Sequence, residues 1–140
     1  MRRASALFAG VLAAAACGRT AAPLGLAAAP KSYSPALSST VGIKLDPILP
    51  PGAPSVGDVV RWRADYGYFV SWGSPDYRVV ALGSDVRREL GPVYWTYDPK
   101  DTGTAKQDAT ITAEVTNADR VVARGTLRVG WDKDVARVKD

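Results

Sequence analysis

The chain of 140 residues contains no histidine and a single cysteine, Cys17. Without histidine there is no imidazole to act as general base, pH switch or metal ligand. Ser-His-Asp and Cys-His nucleophile systems are excluded, and zinc, copper and haem sites lose their commonest ligand. One thiol cannot close an intramolecular disulfide, so the fold stands on its apolar core and no disulfide-linked partner is expected. Long apolar runs are also missing. The longest, Ala4–Ala16, falls well short of the roughly 20 residues that a spanning helix needs. Excess charge is scarce: of the formal net charge of +4, Arg2 and Arg3 supply two. Nucleic acid is not an expected partner of so weak a field. Arg61, Arg63, Arg78, Arg87 and Arg88 are the one candidate basic patch, and a solvated strand face is the simpler reading of them. No glycine-rich phosphate loop and no repeat of solenoid period occurs.

What the chain does have begins at its N-terminus. Met1-Arg2-Arg3, the apolar stretch Ala4–Ala16 and a small-residue exit form the layout of a secretory signal peptide, residues 1–16. Ala14-Ala15-Ala16-Cys17 resembles the bacterial lipobox, with Ala14 where leucine is usual. That resemblance implies lipidation at Cys17 and a membrane partner through the lipid. Cleavage after Ala16 without lipidation is the competing exit. Residues 17–40 are rich in Ala, Pro, Ser, Thr and Gly and read as a flexible linker, too poor in apolar area to offset its ordering entropy. Such a linker holds a domain about 25 Å from its anchor.

The folded part is expected over residues 41–140. Val41, Ile43 and Leu45 alternate and read as a first edge strand. Val60, Trp62, Ala64 and Tyr66 recur with period two, as do Tyr68, Val70 and Trp72. Gly73-Ser74-Pro75-Asp76 reads as a turn, followed by alternation from Tyr77 to Leu82. Ser84–Gly91 is the one helix candidate, a single turn crossing between sheets. Val93, Trp95 and Tyr97 alternate next. Ala109, Ile111, Ala113 and Val115 then form an antiparallel hairpin with the run Val121–Val129. About seven short strands and no long helix predict an all-β protein, an antiparallel β-sandwich or barrel.

Three segments, Val93–Pro99, Asp108–Val115 and Val121–Val129, resemble the closing strands of bacterial Ig-like domains. The resemblance implies an Ig-like β-sandwich, and with it the roles such domains take: spacer, adhesion module or subunit of an envelope assembly. It implies no ligand residues.

Candidate chemistry is thin. Trp72, Tyr94 and Trp131 are the candidate ligand-binding aromatics, with core or edge packing as the plainer reading of the tryptophans. Asp98, Asp101 and Asp108 are candidate calcium ligands by residue type, although their spacing matches no EF-hand loop and turn formation explains them as well. No cofactor and no catalytic residue is expected. The sequence thus points to a non-enzymatic, exported lipoprotein on the periplasmic or extracellular side of a bacterial envelope. Its role is structural or adhesive, or that of an accessory subunit among other envelope proteins. The alternative is a small module binding glycan or a hydrophobic compound.

Overall fold

The computed structural model describes residues 21–49, 51, 57–101 and 107–139. Cys17 and the signal segment 1–16 lie outside the described residues.

Among the described residues, twelve strands form two packed sheets: β1 (Ala22–Pro23), β2 (Gly25–Ala29), β3 (Ser32–Tyr33), β4 (Ile43–Ile48), β5 (Val59–Ala64), β6 (Tyr68–Ser71), β7 (Val80–Gly83), β8 (Asp85–Glu89), β9 (Val93–Thr96), β10 (Ala109–Asn117), β11 (Arg120–Asp132) and β12 (Val135–Lys139). One sheet runs β3-β12-β11-β10-β5-β8, with β1 added parallel to β11, and the other runs β2-β4-β9-β6-β7. The remaining pairings are antiparallel. The protein is therefore an all-β sandwich. β2, β4, β9 and β6 lie side by side in one sheet and β5, β10 and β11 in the other, with β7–β8 inserted in the chain between β6 and β9.

Alternation explains the core. Val60 and Trp62 of β5 and Ile111, Ala113 and Val115 of β10 face inward from one sheet. Ile43 and Leu45 of β4, Phe69 of β6 and Val93 and Trp95 of β9 face them from the other. Trp62 and Phe69 meet between the sheets with ring centroids 6.0 Å apart.

The runs read as strands from their alternation form strands, except that Tyr77–Val79 belongs to the connection before β7, and four further assignments change. Residues 22–33, assigned to the linker, supply β1, β2 and β3, and the Leu24 amide donates to the Arg124 carbonyl at 2.9 Å. Leu24, Ala28 and Tyr33 are buried in the common core. The strand at Ile43–Ile48 is consequently interior, between β2 and β9, rather than an edge. The helix candidate Ser84–Gly91 is instead β8, hydrogen-bonded along β5. The chain does change sheets there, at Gly83, whose φ of 92° turns β7 directly into β8. The hairpin after Val129 continues: β11 extends to Asp132, and Lys133 at φ 56° turns it into β12.

Two ends of the sandwich follow from these connections. The upper end holds the β5–β6 turn, the β7–β8 crossing and the β11–β12 turn. The lower end holds the Asn117–Arg120 hairpin turn, the Trp72–Val79 connection and the Glu89–Pro92 segment leading into β9.

Candidate functional site

The candidate aromatics divide between the two ends. At the upper end Trp131 packs edge-on against Tyr97, 4.8 Å between centroids, and against Tyr66 at 5.7 Å. Its indole Nε1 donates to the Gln107 carbonyl at 2.7 Å. Tyr97 in turn stands edge-on to Tyr33 at 6.0 Å, and its hydroxyl donates to the Asp134 carbonyl at 2.9 Å. The Tyr33 hydroxyl meets Thr96 Oγ1 at 3.0 Å. This cluster ties β3, β9 and the β11–β12 turn together, so Trp131 is part of the scaffold there.

Burial pushes the Tyr97 hydroxyl up to about 12 and raises Tyr33 as well. A neutral phenol is thus favoured by the folded state. That preference is fully present below the ordinary tyrosine value of 10.0 and is lost as pH rises from there to about 12. Alkaline titration followed by circular dichroism and phenolate absorbance should therefore show unfolding and the ionisation of these tyrosines together in that window. Ionisation of every tyrosine near pH 10 with the fold intact would contradict it.

Trp72 and Tyr94 do come together, at the lower end. Trp72 lies edge-on to Tyr94 at 5.7 Å and to Tyr77 at 5.5 Å. Trp72 is 38% exposed and Tyr77 58% exposed, with Val79 and Val80 also open to solvent. Beneath them Val70, opposite Tyr94 on the outer face of its sheet, is buried without belonging to the inter-sheet core. The turn after Trp72 creates this shelf. The Tyr77 amide donates to the Gly73 carbonyl at 2.8 Å, and Tyr77 takes φ 53°, so the chain doubles back and sets Tyr77 against Trp72. Sequence reading placed Tyr77 in a strand. The Gly-Ser-Pro-Asp turn signal, followed through to its closure, was the cue that pairs the two rings.

Arg88 adjoins the shelf. It lines a recess of about 300 Å³ with Trp72, Asp76, Arg78 and Pro92, and a second, of about 440 Å³, with Arg87, Leu90 and Pro92. Arg88 projects inward from β8, opposite Val60, at the open edge of the sandwich. Among the described residues no carboxylate pairs with Arg87 or Arg88.

The other candidate arginines are engaged. Arg61 donates Nε and Nη2 to the two Asp85 oxygens at 2.9 and 2.7 Å. Glu114 accepts from Arg63 at 3.2 Å and from Arg124 at 2.7 Å, and its side chain is only 8% exposed. Arg78 lies 3.4 Å from Asp76. The hydrogen bond from Arg61 holds the Asp85 carboxyl below its usual range, as that from Lys139 does for Asp108. The face expected to be wet therefore carries a cross-strand charge ladder, with Glu114 nearly buried at its centre.

The acidic trio does not assemble. Asp98 Oδ1 accepts the Lys100 amide at 2.9 Å, a local turn. Asp108 is held by Lys139 at 2.6 Å and Arg128 at 3.4 Å. The Asp101 side chain lies outside the described residues. Among the described residues no three His, Cys, Asp or Glu side chains converge on a common point.

No family model, no curated protein and no solved structure matches the chain.

Proposed function

We propose that the chain is a non-enzymatic, exported envelope lipoprotein, attached through Cys17, whose Ig-like sandwich is a structural or adhesive docking module. The observation that carries the docking role is the Trp72–Tyr77–Tyr94 shelf. Isolated apolar residues on a surface are ordinary, but a contiguous group rimmed by polar residues marks an interaction site. Asp76 and Arg78, paired at 3.4 Å, stand at its rim. Support for the anchor comes from the sequence: Arg2-Arg3, the apolar stretch and the small residues before the single cysteine.

A second reading, a small-ligand module, is favoured by the recess beside Trp72, where an aromatic edge, Asp76 and Arg78 converge. Intact-mass measurement on protein extracted from bacterial membranes tests the anchor. A chain beginning at a lipidated Cys17 is the expected result, and an unmodified chain beginning there and free in the medium would contradict it. A glycan array separates the two roles. Saturable binding lost in Trp72→Ala, with an unchanged circular dichroism spectrum, would establish the ligand module instead. Trp131→Ala is unsuited to this test because Trp131 belongs to the upper scaffold.

A further inference from the structure

We infer that the lower end of the sandwich is a membrane-contact surface, with Trp72 and Tyr77 seated in the lipid headgroup layer. The inference rests on the lipidated Cys17 of the proposed function and deepens it by naming the surface the shelf meets.

Covalent reach sets the first constraint. β1 runs parallel to β11, with Ala22 beside Ala123. Because β11 rises from the lower turn at Arg120, the chain before Ala22 leaves the sheet toward the lower end. Cys17 precedes Ala22 by five residues, which span at most about 18 Å. From Ala123 back to Arg120 the strand itself occupies about 10 Å of that length. A lipid on Cys17 is therefore confined to within about 8 Å below the sandwich. Contact between the lower end and the bilayer is then imposed by the chain. The linker of some 25 Å expected from composition would have left the domain free of the surface.

The second constraint is position. β2, which continues β1, and β6, which leads into Trp72, are three strand spacings apart in one sheet, about 14 Å. The anchor and the shelf thus share one end and can meet one plane together.

The third is chemistry. Tryptophan and tyrosine, with apolar rings and one polar atom each, are the side chains favoured at the headgroup level. Val79 and Val80 extend the apolar area. Arg88, which lines both recesses beside the shelf, offers a donor for lipid phosphate there. The charge at this end is mixed, since Asp76 pairs with Arg78 and Glu89 ends β8. Ring insertion rather than electrostatic adsorption is accordingly the main attraction, and it should persist in 0.5 M salt, where the Debye length is only a few ångström (about 4 Å).

The test is quenching by brominated phosphatidylcholine. Full-length protein extracted from membranes is reconstituted into vesicles containing the brominated lipid, and tryptophan emission is recorded for the parent and for Trp72→Phe. The expected result is strong quenching in the parent that disappears in Trp72→Phe and survives 0.5 M salt. Equal emission in brominated and ordinary vesicles, from protein whose mass shows the lipid, would overturn the inference and leave the shelf to a protein or glycan partner. If the mass shows no lipid, the anchor fails by itself. Adding that protein to excess brominated vesicles then decides the shelf: quenching specific to Trp72 upholds membrane contact, and its absence overturns it. An unchanged far-ultraviolet circular dichroism spectrum and urea midpoint for Trp72→Phe confirm that the fold is retained.

Discussion

Replacing Gly125 by alanine is expected to lower the stability of the protein by about 3 kcal/mol, which corresponds to a fall in Tm of about 12 °C for a domain of this size. A Cβ at Gly125 would run into the carbonyl oxygen, carbonyl carbon and Cβ of Leu24. Two of these atoms are backbone, so no rotamer change relieves the overlap. Leu24 must leave β11, giving up its hydrogen bond to Arg124 and its place in the core. Overpacking of this kind costs about 1–3 kcal/mol, and losing a buried leucine adds to it. The sign of the effect is what discriminates. Were residues 17–40 a linker, Gly125 would have an open face, and alanine in a strand would raise stability by about 0.5–1 kcal/mol. Urea denaturation of the two proteins reads the sign directly.

The second large effect is expected at Gly67. Its φ of 78° belongs to the left-handed region, and a Cβ there would lie 2.5 Å from the Thr96 carbonyl oxygen and 2.7 Å from the Trp95 indole. Trp95 is fully buried, and its Nε1 donates to the Tyr66 carbonyl at 2.9 Å, which closes the β5–β6 turn over β9. Gly67→Ala meets the conformational cost of a left-handed L-residue, about 1–2 kcal/mol, and a displaced tryptophan besides. A loss of about 3–4 kcal/mol is expected, a large share of the stability of a small domain. Gly83→Ala is the control. Its φ is 92°, but nothing lies within 4 Å of the added carbon, so only about 1 kcal/mol should be lost. Equal losses at the two positions would show that Trp95 does not constrain Gly67.

These two glycines also show where sequence reading stops. Period-two alternation identified strands wherever large apolar residues mark the inner face, as at Val60 and Trp62 or Ile111 to Val115. It was silent at β2, whose Gly-Leu-Ala-Ala-Ala offers small side chains and low strand propensity. What holds β2 is backbone pairing with β4 and the core contact of Ala28, and composition reports neither. At β8, Val86 and Arg88 are the inward residues, so the inner face carries one apolar side chain and no readable pattern. Glu114 was assigned to the wet face by alternation, correctly, yet Arg63 and Arg124 from adjacent strands cover it.

The candidate site was legible in half. Trp72 and Tyr94 were identified by residue type, and the structure brings them together. Trp131 was grouped with them by the same reasoning but lies in the upper cluster, because aromatic type does not distinguish a packing ring from an exposed one. Tyr77 and Arg88 were missed as members of the shelf, since both depend on a turn and a strand that only the fold reveals.

The central claim is that residues 22–33 belong to the sandwich rather than to a linker. Hydrogen exchange of the full-length protein, read by mass spectrometry on peptides covering residues 21–33, tests it most directly. The account predicts that the Leu24 amide and the paired amides of β2 exchange slowly, with those of Ile43–Ile48. Complete exchange of residues 21–33 at the rate of an unstructured peptide, while Ile43–Ile48 stays protected, would contradict it.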